Sequence, residues 1–246
     1  FCWSDYDNRQ AAAFREKYRL DELLEGAGDE WEALLRLRHW VFVNMVNHTR
    51  AAFPGLEPFT TLDPFALVDA SRVGGTFWCS HFSMVFVAAA TATGFVVRKL
   101  SIDCEHSADE KGTHHGVVDV WVDRFAKWVH LDPNYDHHFE LDGVPMSTEE
   151  IGRRWQSHRG AGIQPMLGPQ RRPVARGRKG KQGEPEACSH FWHLIECRND
   201  VFRRDGRGSK SAAVMLVDEA RKSQRWYQGT PPDAFEKRHY AEGTLF

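Results

Sequence analysis

The sequence predicts an α+β fold, a buried helix followed by an antiparallel sheet, on three observations. The run Cys79 to Thr93 is apolar almost all round and closes on Gly94, a residue suited to a left-handed helix cap. Phe95 to Asp103, His115 to Asp123 and Lys127 to Asp132 then carry β-branched residues with alternation of period two. Ahead of both, Asp29-Glu30-Trp31-Glu32 has the form of a capping box, and Trp31, Leu34, Leu35, Arg38, Val41 and Met45 recur at helical spacing. Helices first and hairpin-connected strands after them is an α+β order.

The first helix is expected from about Glu30 to His48. Phe53 to Pro58, and on through Asp63-Pro64, is rich in Pro and turn formers and reads as a loop, with a short helix from Asp63 to Ala70 after it. Gly74-Gly75 leads into the buried helix. On the strand that follows the His106 to Thr113 loop, His115, Val117, Asp119 and Trp121 share one face. Ser147, with Glu150 at the capping-box position, opens a helix reaching Trp155 or a little beyond. Gly168 to Ala187 has three Pro, four Gly and six basic residues (Arg171, Arg172, Arg176, Arg178, Lys179, Lys181), the signature of a linker or insertion. Glu186 to Val201 reads as a helix.

Composition excludes several classes of function. A formal net charge of -2 over 246 residues gives no general attraction to nucleic acid or anionic lipid, so nucleic acid is not an expected partner. The longest apolar stretch, around Met84 to Ala90, is too short to span a bilayer. Nine Trp and sixteen Phe predict an aromatic-rich interior or substrate groove. Five cysteines, Cys2, Cys79, Cys104, Cys188 and Cys197, are too few and odd in number for a disulfide framework, which leaves at least one free thiol. The chain begins at Phe1 and ends on an incipient strand, so a fragment of a longer polypeptide with its leader removed, secreted or periplasmic, is the expectation.

A nucleophilic cysteine must be partly thiolate, and a helix N-terminus favours that through its partial positive charge and unpaired N–H groups; Cys79 is placed for it. His115 and Asp132, on neighbouring strands, supply a base and a group to orient it. They share a face of an unbulged hairpin only if odd-numbered residues of one strand oppose even-numbered residues of the other. Asp123 opposite Trp128, with Asp119 opposite Asp132, meets that condition.

The blocks Gly75-Thr-Phe-Trp-Cys79, Gly94-Phe-Val-Val-Arg98, His115-x-x-x-Asp119-Val-Trp121 and Lys127-Trp128-Val-x-Leu-Asp132-Pro133 resemble, in order and spacing, the core of the transglutaminase-like superfamily. Two positions depart from its usual pattern: Val117, where Trp is common, and Asp119, where Glu is usual. The resemblance implies a papain/transglutaminase-like fold, with Cys79 as nucleophile, His115 rather than His114 as base and acid, and Asp132 as orienter. It implies acyl transfer at an amide bond of a peptide or glycopeptide through a thioester, hydrolysis being expected over crosslinking, with a peptide, glycopeptide or polysaccharide as the expected substrate partner. Trp78, Trp121 and His114 are assigned to substrate binding, and the Cys79 N–H to half of an oxyanion hole, with the second donor sought at Trp78 or between Trp40 and Asn47. On this basis residues 1–160 form the catalytic core with an N-terminal helical segment, 168–187 a flexible basic linker or insertion, and 188–246 a C-terminal helical extension. The alternatives are a non-catalytic module binding protein or polysaccharide, and a carbohydrate-active enzyme on the same fold.

No cofactor and no metal are expected. Cys188, His190, His193 and Cys197 offer zinc-type ligands, but their spacing matches no common zinc motif and equally describes one face of a packed helix. Asp136-His137-His138 reads as a solvated loop.

Overall fold

The computed structural model describes residues 8–48, 63–103, 114–174, 191, 193–196, 201–202 and 215–216. Helices α1 (Arg9–Lys17), α2 (Leu20–Leu24) and α3 (Glu30–Asn44) come first. The start of α3 is fixed by Asp29, whose side chain accepts the Glu32 N–H. The helix stops at Asn44 rather than His48: Met45 is extended, and Val46–Asn47 forms β1, paired in parallel with β2 (Thr76–Phe77). Helical periodicity continues to Met45, but β2 offers the backbone beyond it a ladder, and tertiary pairing outweighs local propensity. Asp63 accepts the Phe65 N–H and Pro64 occupies the first turn of α4 (Pro64–Ser71).

The central element is α5 (Cys79–Ala92), buried from Ser80 to Ala92 and closed by Gly94 at φ 90. It packs against α1, α3 and α4 on one side and the main sheet on the other. That sheet has the order β11-β10-β3-β4-β5, all antiparallel, from β3 (Val97–Asp103), β4 (His114–Val122), β5 (Lys127–Leu131), β10 (His193–Glu196) and β11 (Met215–Leu216). Val118, Val120, Val122, Val129 and Leu131 face the helical core, while Leu100, Ile102 and Val117 face a second cluster with Phe139, Met146 and Ile151. This is the period-two alternation of a sheet covered on both faces.

A second sheet, ordered β7-β6-β8-β9, covers the latter face with β6 (His137–Leu141), β7 (Val144–Pro145), β8 (Ile163–Leu167) and β9 (Arg172–Pro173). An isolated bridge between Asp132 and His137 connects β5 to it. Helix α6 (Thr148–His158) carries the expected capping box of Ser147 and Glu150.

The chain is thus α+β, with two further differences from expectation. His137 and His138 are not in a solvated loop but on a buried strand, 4% and 0% exposed. The expected helix over Glu186 to Val201 contains a strand instead: β10 pairs residue for residue with β3, which gives the β3 backbone a partner on its second edge. Sheet strands therefore lie past residue 160, and β9 falls inside the expected linker. Cys188, His190 and Cys197 lie outside the described residues, as do Cys2 and Cys104.

Candidate active site

Cys79 stands at the first helical position of α5, where the N–H groups have no intrahelical acceptor. Trp78 at the N-cap is extended, and its own N–H is taken by Nδ1 of His81 at 3.1 Å. His81 must be neutral to accept that bond; burial first, and then the nearby Lys99 charge, push its pKa down to about 4. The helix start is brought against β4 at Gly116, where a Cβ would lie 3.0 Å from Ser80 Cα and 3.1 Å from Ser80 N. Any larger residue would push the helix backbone back by a few tenths of an ångström.

The β4–β5 ladder ends at Val118 and Leu131, and Asp132-Pro133 turns away from it. Beyond that end the Gly116 N–H donates to Cys79 Sγ at 3.3 Å. The thiol thus occupies the open edge of the sheet, partly accessible to solvent. Odd residues of β4 oppose even residues of β5, as the sequence requires, but the register is Trp121 opposite Trp128 and Asp119 opposite His130. This differs from the expected register by two residues and preserves the shared face, placing Asp132 diagonally across from His115.

His115 Nε2 donates to Asp132 Oδ2 at 2.7 Å, which leaves Nδ1 for the thiol. Asp132 Oδ1 accepts the N–H groups of Asn134 and Tyr135 at 2.9 and 3.1 Å. The Tyr135 ring stacks on His115, centroids 5.1 Å apart. Burial resists ionisation of all three groups, and their mutual contacts outweigh it. The His115 hydrogen bond and charge, with the Gly116 N–H, bring the Cys79 thiol below its ordinary value. The charge and hydrogen bond of Asp132, then those of Cys79, raise His115 well above its ordinary value. His115 in turn holds Asp132 far below the usual carboxylate range. Each shift runs in the direction that favours a thiolate–imidazolium pair beside a carboxylate.

Of the residues assigned to substrate binding, Trp78 adjoins Cys79 and is 41% exposed. Its ring lies 4.8 Å from that of His48, whose Nδ1 is 3.0 Å from Thr76 Oγ1. Trp121 is elsewhere: it sits six residues along β4 from His115, roughly 20 Å, packed edge-on against Trp128 and bonded through Nε1 to Asp123. His114 is described through its backbone alone, paired with Asp103.

Asp119 is a structural brace. It is fully buried, accepts from Thr148 Oγ1 at 2.5 Å and Thr148 N at 3.1 Å, and pairs with Arg98 at 2.9 Å, while Arg98 lies over the Trp128 ring. Sequence reasoning missed His48, His81 and Tyr135. Asn47, at the edge of the stretch searched for the second oxyanion donor, is 6% exposed and donates to Asn134 Oδ1 at 2.8 Å. Among the described residues no three His, Cys, Asp or Glu side chains are grouped to hold a metal, and no helix is long and apolar enough to cross a membrane.

No protein-family model and no curated protein matches the chain. Solved structures that match include a Cytophaga hutchinsonii protein provisionally described as a cysteine protease, 13% identical over 51% of this chain, with a TM-score of 0.38. The chain spans 38% of that structure's length. With a likeness that slight, any functional reading stands on the site's own geometry.

Proposed function

We propose that the chain is a cysteine hydrolase of transglutaminase-like type that cleaves an amide bond of a peptide or glycopeptide through a thioester on Cys79. The observation that carries this reading is the 2.7 Å bond from His115 to Asp132 beside a helix-start thiol. The Cys79 thiolate adds to the substrate carbonyl carbon. The developing oxyanion is held by the Cys79 N–H, and the His115 imidazolium gives its proton to the leaving nitrogen as the C–N bond breaks. Water then attacks the thioester, His115 takes its proton, and the carboxylic acid leaves as thiolate and imidazolium reform. Asp132 keeps the imidazole in the tautomer that presents Nδ1 to sulfur. Trp78, which adjoins Cys79, and His48, whose ring lies 4.8 Å from it, are the aromatic groups that would meet the substrate beside the scissile amide.

The test is to incubate the protein with a mixed pool of peptide amides and glycopeptides, quench in acid and map adducts by mass spectrometry. A hydroxylamine-labile acyl group on the Cys79 peptide, absent from Cys79→Ala together with amide cleavage, is the expected result. Cleavage by Cys79→Ala at the wild-type rate refutes the reading.

A further inference from the structure

The acid and the ring stacked on the base belong to one short turn, Asp132 to His137. Reciprocal backbone bonds close it, Asp132 N to His137 O at 2.9 Å and His137 N to Asp132 O at 3.2 Å. Within it Asp136 has φ 53, the left-handed region, which a non-glycine residue adopts only when its surroundings hold it there.

The hold comes from α3, almost a hundred residues earlier in the chain. Arg38 is 0% exposed and spreads its guanidinium over three partners. Nε donates to Asp136 Oδ1 at 2.9 Å, Nη2 to Gly168 O at 2.9 Å, and Nη1 lies 2.8 Å from His138 Nδ1. His39 Nδ1 is 2.7 Å from the other Asp136 oxygen, and Asp136 O accepts the Gly168 N–H at 2.9 Å. A buried guanidinium is costly unless every arm of its fork is matched, and a planar fork reaching three acceptors is a task lysine cannot perform.

We infer that Arg38 and Asp136 form a buried clamp that positions the Asp132–His137 turn, and through it sets the Asp132 carboxylate on His115 and the Tyr135 ring against it. Both are positioning residues, acting through the turn. The clamp also decides which imidazole the acid serves. His137 Nε2 lies 4.0 Å from the same Asp132 oxygen that His115 holds at 2.7 Å. A turn free to slip by about an ångström would bring His137 into hydrogen-bond range. The charged or titratable groups around His137 are Arg38 from α3, His115 from β4, His130 from β5 and Asp132 at its end. Burial first, and then the Arg38 charge working against Asp132, lower the His137 pKa, so the proton goes to His115.

This inference rests on the Cys79–His115–Asp132 reading, and one experiment separates the two. The rate of iodoacetamide alkylation at Cys79 is followed against pH in the wild type, in the double variant Arg38→Met with Asp136→Gly, and in Arg38→Lys. The double variant removes both buried charges together and places glycine where φ is positive, so neither an orphan charge nor backbone strain remains. The expected result is an inflection displaced upward by about one pH unit, with alkylation near neutrality about tenfold slower. A merely structural role would lower the melting temperature and leave the inflection in place, and that result overturns the inference. Should the double variant not fold, Arg38→Lys decides by the same criterion, since lysine keeps a positive charge beside Asp136 but cannot reach Asp136, Gly168 and His138 together. A wild-type Cys79 alkylated no faster than an unfolded thiol overturns the catalytic reading itself, and the inference with it.

Discussion

Asp132 divides its two carboxylate oxygens between two tasks: Oδ1 ties down its own turn through Asn134 and Tyr135, and Oδ2 holds His115. Asparagine can perform the first task only. In Asp132→Asn the amide NH2 directed at Nε2–H must either turn away or force the imidazole into the other tautomer, with its proton on the nitrogen facing sulfur. The expected outcome is retained folding by circular dichroism with alkylation of Cys79 at neutral pH slowed about tenfold or more. Wild-type alkylation in this variant would remove Asp132 from the site. The stability of the site runs in a definite direction with pH. The raised His115 contributes fully below its unfolded value, about 6.5, and that contribution disappears as pH rises through its folded value. The depressed Asp132 contributes above the ordinary carboxylate value and loses that contribution as pH falls.

The decisive contact between elements is the seating of α5 on β4 at Gly116. In Gly116→Ala the new methyl meets Ser80 backbone at 3.0 and 3.1 Å, and a helix backbone cannot swing aside as a side chain can. The helix start must retreat, so the variant is expected to lose about 1–3 kcal/mol in urea unfolding and to lose the Gly116 N–H to Sγ bond, with slower alkylation as a second readout. A variant unchanged in both would refute the seating. Elements set by local chemistry were legible in the sequence: the Asp29 cap, the Ser147–Glu150 box, the apolar run ending at Gly94. Elements set by distant partners were not. His137 and His138 look like loop residues because the groups that make them fit a buried strand, Arg38 and Glu140 among them, are polar contacts formed only in the folded state. The segment around His193 has helical spacing, yet it pairs with β3. The β4–β5 parity was readable, but the register was not, because it depends on the 3-10 turn Asp123–Phe125 and the left-handed Ala126 at φ 50.

Among the described residues, buried histidines link the stability of the whole molecule to pH. His81 and His138 are both brought down to about 4, in each case chiefly by burial, and both are used as neutral rings. Between pH 6.5 and about 4 the unfolded chain binds protons at these two residues that the folded chain does not, so stability falls as pH falls through that window. Each contributes on the order of 3 kcal/mol over the full interval. Thermal midpoints measured from pH 7 to 4 are expected to drop steeply before the carboxylates titrate. His81→Gln, which retains an acceptor for the Trp78 N–H, should flatten part of that slope, whereas a slope identical to the wild type would exclude His81 as a source.

Whether Cys79 is an activated thiolate paired with His115 is measured directly by the rate of its alkylation by uncharged iodoacetamide, located by mass spectrometry. At about pH 6 an ordinary thiol is well under 1% ionised, and allowing for the lower intrinsic nucleophilicity of a low-pKa thiolate, the paired Cys79 should still react roughly tenfold faster than the same cysteine in the unfolded chain. His115→Ala should abolish that advantage and return the inflection to the ordinary thiol range. Reaction at the unfolded rate in the wild type, or a profile unchanged by His115→Ala, would contradict that pairing.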